Sequence, residues 1–359
     1  MSGDQFPAPP SIGRRPLLVT GGAGFIGVNL ADRLAAEGED VIVLDALLRQ
    51  GIGDNLDWLR ARHPRRVSSI VADIRDEATL AGAVRDAGAV FHLAAQVAVT
   101  TSLGDPWEDF GTNLLGTLAL LDQVRRQGRR IPILFASTNK VYGDLADVAL
   151  RREAEAYVPE DAALRRNGIG EDRPLSFHTP YGCSKGAADQ YVLDWSRSFG
   201  IPTAVFRMSC IYGPRQMGTE DQGWVAHFLI RALRGESITI FGDGCQVRDV
   251  LHVDDAVAAY VAAWRRMGAV TGQAFNLGGG PANAVSLRQV LALVEQRLGR
   301  SPHVEHAPWR AGDQRWYVSD PRRVAAALAL PPPRDWRRGI ADLAGLIAAA
   351  PARLAEPAA

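Results

Sequence analysis

The stretch Leu17-Leu18-Val19-Thr20-Gly21-Gly22-Ala23-Gly24-Phe25-Ile26-Gly27 limits the fold more than any other. An apolar run of strand type enters a turn with glycines at 21, 24 and 27, and a helical pattern runs from Phe25 to Glu37, stopped by Gly38. Each glycine has its own steric task. Gly21 permits a tight turn, Gly24 lets backbone approach a pyrophosphate, and Gly27 lets the helix pack close to the sheet. The helix N-terminus at Phe25 and Ile26 offers free N–H groups and a positive dipole end to phosphate. A second apolar run, Val41 to Leu44, ends at Asp45, where a carboxylate that grips ribose hydroxyls is expected. Such an acid repels a 2′-phosphate, so NAD is favoured over NADP; Arg49 nearby weakens the preference slightly.

Further apolar runs at Val67–Val71, Ala89–Leu93, Ile133–Ala136 and Thr203–Arg207 alternate with helical stretches. Continuous apolar strands between helices predict a parallel sheet buried on both faces, the doubly wound α/β class of the Rossmann fold. The expected layout is a tail over 1–14, a dinucleotide-binding domain over 15–206 to which 240–275 returns, and a smaller substrate lobe from 207–239 and 276–350. Residues 145–173 read as a long polar surface excursion that can border the ligand pocket. Asp73 and Ile74 follow the third strand and face the adenine in this reading, although Asp73 is equally suited to capping a helix. Leu93, Ala94 and Ala95 end the fourth strand, and their small side chains leave room for the nicotinamide ribose.

Composition removes several alternatives. Forty basic and 40 acidic residues leave no net charge, which gives no support to nucleic-acid or anionic-membrane binding. Three cysteines without C-x-x-C spacing argue against a disulfide or zinc scaffold and suit a reducing cytoplasm. No apolar run is long enough to span a bilayer, and His303 and His306 lack further ligand spacing, so no metal site is expected. Of the 40 basic residues only two are lysine, Lys140 and Lys185.

Both lysines fall in segments with catalytic chemistry. Tyr181-Gly182-Cys183-Ser184-Lys185 is Y-x-x-x-K, with Thr179 as N-cap and Pro180 as first helical residue. On a helix the two side chains share one face. Tyrosine is a poor base at neutral pH, but a neighbouring ammonium and a positive nicotinamide ring both favour its phenolate. Tyr181 is then able to take a proton from a substrate hydroxyl as hydride leaves. Lys140 lies in Ser137-Thr138-Asn139-Lys140, at the strand edge that faces the ligand crevice in open parallel sheets. Thr138 offers a hydroxyl to the substrate oxygen; a turn-forming role is the plainer alternative for Thr138 and Ser137.

These motifs resemble the extended short-chain dehydrogenase/reductase family over roughly residues 16 to 345, in particular its nucleotide-sugar epimerases. The segments 92–102, 137–144, 176–191 and Asp221-Gln222-Gly223-Trp224-Val225 carry a closer likeness to the branch that acts at C2 of CDP-sugars. The resemblance implies a triad of Thr138, Tyr181 and Lys185, tightly held NAD, a nucleotide-diphosphate sugar substrate and a homodimer. It assigns Gln96, Ser137, Thr138, Asn139 and Lys140 to the sugar, and Arg248 and Arg315 to the diphosphate. For Arg248, an ion pair is the plainer alternative. Related 4,6-dehydratases carry Asp-Glu directly after the Thr; here Asn139 and Lys140 stand there, which disfavours elimination of water. Cys210 replaces an Asn common in relatives, and Ala46 replaces another. A C4 epimerase uses the same triad and is the nearest rival, followed by a dehydratase and a non-catalytic NAD sensor.

Overall fold

The computed structural model describes residues 15–310 and 312–349 of the 359. The expected 1–14 tail lies outside the described residues. Seven parallel strands form the large sheet, in the order Gln273–Leu277, Thr203–Met208, β5 (Ile133–Thr138), β4 (Ala89–His92), β1 (Leu17–Thr20), β2 (Val41–Asp45), β3 (Val67–Val71). β1 pairs with β2 on one side and β4 on the other, with Thr20 opposite both Leu44 and His92. The chain therefore winds outward in both directions from β1. The crevice beyond the ends of β1 and β4 is the switch point where such sheets bind ligands.

Strand alternation builds two cores. Val19, Val43, Phe91, Leu134 and Phe206 face helix α1 (Phe25–Ala36) and the helix Val253–Arg265. Leu18, Leu44, Val90, Ile133, Phe135 and Val205 face helices 77–86, 116–126 and 179–199. With a sheet covered on both faces, successive residues of each inner strand must all be apolar.

Three sequence expectations change. Ile238–Phe241 pairs with Val304–Ala307, and Val247–His252 pairs with Cys210–Tyr212, Ala284–Ser286 and Trp316–Tyr317, all away from the large sheet. Of the stretch 240–275, the helix Val253–Arg265 and the start of strand Gln273–Leu277 belong to the large sheet and its covering layer. Residues 145–173 are an ordered appendage and not a plain excursion. They form the hairpin Leu150–Glu153/Ala156–Pro159 and the helix Ala162–Asn167, and pack Leu145, Leu164 and Ile169 against Trp316 and Tyr317. Their exposed charged faces hid this periodicity. Asp73 is not the helix cap: Asp76 caps Glu77–Asp86 by accepting the Thr79 N–H.

Candidate active site

The glycine turn is built for close approach. Gly21 has φ +67°, and a Cβ there would lie 2.6 Å from the Ala94 nitrogen at the end of β4. A Cβ at Gly27 would lie 2.2 Å from the Gly21 oxygen. Only the absence of side chains lets strand, turn and helix meet. No side chain caps α1, so its first N–H groups remain available to phosphate. The Asp45 carboxylate accepts from Ala23 N–H at 3.0 Å and Leu47 N–H at 2.9 Å. Those bonds fix its orientation, and a carboxylate keeps further acceptor positions for hydroxyls. Gly21, Gly24, Phe25, Ile26, Gly27, Asp45, Asp73, Ile74, Leu93, Ala94 and Ala95 all line one cleft of about 520 Å³. The uncapped helix, the side-chain-free cradle and the acid beyond it fit a dinucleotide. Arg75 grips Asp73 and holds its carboxyl below the usual range.

The same cleft continues to the second set of predicted residues. Ser137, Thr138, Asn139, Lys140, Tyr181, Lys185 and Arg248 line it. Thr138 ends β5, and Tyr181 and Lys185 lie one turn apart on the buried face of helix Thr179–Phe199. His178 precedes that helix, and the Thr179 hydroxyl accepts the Gly182 N–H at 3.3 Å. Thr138 and Tyr181 are hydrogen-bonded, which favours phenolate, yet burial prevails and pushes Tyr181 up to about 12. Burial likewise lowers Lys185 to about 7, against the pull of Asp189 and Asp109. The expected lowering of the tyrosine is therefore not supplied by the chain's own groups. His92, behind them, bonds Thr20 and Thr117 and is held neutral, its pKa lowered to about 3 chiefly by burial.

Two predicted residues lie elsewhere. Gln96 is absent from the cleft lining; its amide is spent on Ala98 and on the buried Asp109. Arg315 also lies off the lining, with its guanidinium over the rings of Trp309 and Tyr157. Arg310 lines the cleft instead, over the Phe241 ring and paired with Asp221 at 3.1 Å. No residue of 145–173 lines the cleft, so the appendage does not border it. His303 and His306 are exposed and bond Ser237 and the Gly242 carbonyl.

Several lining residues carry no sequence signal of their own. Buried acceptor or hydroxyl oxygens of Thr100, Gln216, Gln222 and Gln246 have no hydrogen-bond partner among the described residues. Buried polar atoms are nearly always paired, so four such atoms in one cleft mark a surface that a polar ligand completes. Gln222 belongs to the quoted 221–225 segment, but nothing in that segment alone points its amide inward. Arg248 binds Asp313 at 2.6 Å, and the Lys140 ammonium lies 3.9 Å from the same oxygen and donates to the Gly312 carbonyl at 3.1 Å. Two cations thus share one acid. Burial first, then Arg248, lowers Lys140 to about 8. Cys210 accepts from Trp224 at 3.5 Å and its thiol is pushed up by burial.

Comparison with known proteins agrees with this geometry. Residues 17–278 match the model of the NAD dependent epimerase/dehydratase family. The chain is 41% identical over 331 residues to the CDP-paratose 2-epimerase of Salmonella typhi, covering 90% of this chain and 96% of that one. It is 34% identical to the UDP-glucose 4-epimerase of Mycolicibacterium smegmatis, covering 90% and 96%. The crystal structure of the Thermus thermophilus UDP-glucose 4-epimerase in complex with NAD superposes with a TM-score of 0.76 at 31% identity, covering 92% of this chain and 98% of that one. The chain belongs to the NAD dependent epimerase/dehydratase family. It is an enzyme of the epimerase kind with NAD as its cofactor.

Proposed function

We propose that this enzyme inverts C2 of a nucleotide-diphosphate sugar, a CDP-sugar in the first instance, through a transient keto-sugar. The observation that carries the reading is the meeting of Thr138, Tyr181 and Lys185 in one cleft with the glycine cradle. The choice of C2 and of cytidine rests on the 41% identity to a CDP-paratose 2-epimerase. Bound NAD supplies the hydride acceptor and, once reduced, the donor, and its positive ring adds the charge that favours a tyrosine phenolate. Tyr181 takes the proton of the ring hydroxyl and returns it to the same oxygen after the keto-sugar has turned over in the cleft to present the other face of its carbon. Thr138 holds that oxygen by a hydrogen bond, and the Lys185 ammonium favours the phenolate of Tyr181. Arg248 and Lys140 outnumber the Asp313 they share, which leaves positive charge for a diphosphate or an adjacent sugar oxygen. The four orphan oxygens suit the hydroxyl and amine donors of sugar and base.

Positions 139 and 140 support epimerisation over dehydration. Asn139 donates to Gln314, which in turn donates to the Gly143 carbonyl. That side chain is locked in a buried chain of amides and offers no acid, and Lys140 offers none either. Incubation with CDP-, UDP-, ADP- and GDP-sugars, followed by NMR, should show inversion at one ring carbon without net redox change. A 4-keto-6-deoxy product or stoichiometric NADH release would overturn the reading, and inversion at C4 would move it to the rival epimerase.

A homodimer and a cytoplasmic setting belong to the same proposal. Leu103, Trp107, Phe110 and Leu115 are solvent-exposed on consecutive turns 99–115. An apolar row of this kind suits a second copy. Light scattering should give a dimer, and Trp107→Glu a monomer. Among the described residues no helix is long and apolar enough to cross a membrane.

A further inference from the structure

One buried carboxylate has no task in the chemistry above. Asp109 is 0% exposed and lies on the short helix Pro106–Phe110, just before the π-helical turn Gly111–Leu115. Its Oδ1 accepts from Gln96 Nε2 and Asn113 Nδ2, both at 3.0 Å, and its Oδ2 accepts from the Ser184 hydroxyl. All three donors are neutral. Among the described residues Asp109 has no ion pair within 4.0 Å. Asp189, equally buried, is different: Arg207 grips both its oxygens at 3.0 Å.

Burial raises the Asp109 pKa, and its three donors and the Lys185 charge oppose that rise; a carboxylate kept ionised there needs a cation nearby. Ser184 precedes Lys185 in the chain, and the Lys185 ammonium lies 4.2 Å from the centre of the Phe135 ring, itself shielded from water. We propose that Asp109 is the counter-ion of Lys185, a positioning residue that keeps the ammonium charged behind the reacting tyrosine, with Gln96, Asn113 and Ser184 holding the carboxylate in place. The groups facing Lys185 are Asp109, Asp189 on its own helix, Tyr181 one turn before, and His92 of β4. Asp189 is already balanced by Arg207 and His92 is neutral, so Asp109 is the carboxylate left to answer the lysine charge. The same charge also raises Tyr181, so the arrangement favours a charged lysine at the expense of the phenolate. The proposal rests on the reading of Tyr181 and Lys185 as the working pair.

The scarcity of lysine makes a direct test possible. Protein labelled with ¹³C at lysine Cε gives two side-chain signals, and Lys140→Arg identifies the one from Lys185. The Lys185 midpoint is expected near 7 in the wild type. In Asp109→Asn, which keeps the shape and most hydrogen bonds, it should fall, because Asp189 is then the one carboxylate left pulling on the lysine. The decline of kcat with rising pH should move down with it. Gln96→Met removes one donor but keeps the charge, and should leave the midpoint nearly unmoved. An unchanged midpoint in Asp109→Asn, or an equal fall in Gln96→Met, overturns the proposal. So does a wild-type midpoint below about 6, whether or not the Asn variant folds. The titration needs no substrate, so failure of the epimerase reading shows separately, in the sugar-product assay.

Discussion

At Lys185 a single side chain shows why charge alone does not define a residue. Burial costs the ammonium most of its basicity, and the ring of Phe135 beneath it fits a compact cation. A planar guanidinium needs more room and a fork of acceptors. Lys185→Arg is expected to lower kcat by ~10²-fold or more, the scale at which positioned proton-transfer groups contribute, in spite of the conserved charge. Tyr181→Phe should lower it at least as far while NAD stays bound, as read by assaying the NAD released on denaturation after dialysis. Lys140→Arg should keep more activity, because Lys140 reaches a carbonyl and a carboxylate that a guanidinium also satisfies. Full loss in that variant would assign Lys140 a task that only an amine performs.

At the scale of elements, the first strand, turn and helix act as one device. The turn works because α1 approaches the Gly21 carbonyl more closely than a Cβ permits. Gly27→Ala is therefore expected to push the helix outward and weaken NAD retention by tenfold or more. Equilibrium dialysis of the purified variant checks it, and wild-type retention would show that the helix has freedom to move. This device was legible in the sequence because its spacing is local: strand, glycines, helix and Asp45 fall within 29 residues (17–45). The cap of the 77–86 helix was not, since Asp73 and Asp76 both suit that position and only the backbone path chooses Asp76.

At the scale of the whole molecule, buried ionisable groups set the pH range of the fold. His92 is neutral in the folded protein, with its pKa lowered from 6.5 to about 3. Between those values the unfolded chain binds the extra proton, so stability falls as pH drops from about 6.5 toward 3. Lys185, lowered from 10.5 to about 7, adds stability as pH rises through that interval. Tyr181, raised from 10 to about 12, works the other way, and stability falls above pH 10. Denaturant midpoints measured from pH 4 to 8 should rise with pH, and a His92→Asn variant should show a shallower acid limb. An equal acid limb in that variant would place the effect in other groups.

What the sequence determined by itself is what short-range spacing encodes: the parallel strands, the glycine turn, the Y-x-x-x-K helix and the position of Thr138 at a strand end. The tertiary structure alone decided which distant residues share the cleft. Gln96 follows a strand that ends at the site, yet its amide turns to Asp109. Arg315 is two residues from Asp313, yet only Asp313 faces the ligand cleft. Gln216 and Gln222 share the segment before the helix Trp224–Arg234, Gln246 and Arg310 come from distant loops, and all four converge there. The reason is physical. A strand or helix repeats its side-chain direction at a fixed period, so a face can be read from spacing. A loop side chain points where packing and the nearest unpaired polar group send it, and those partners are set only when the chain has folded.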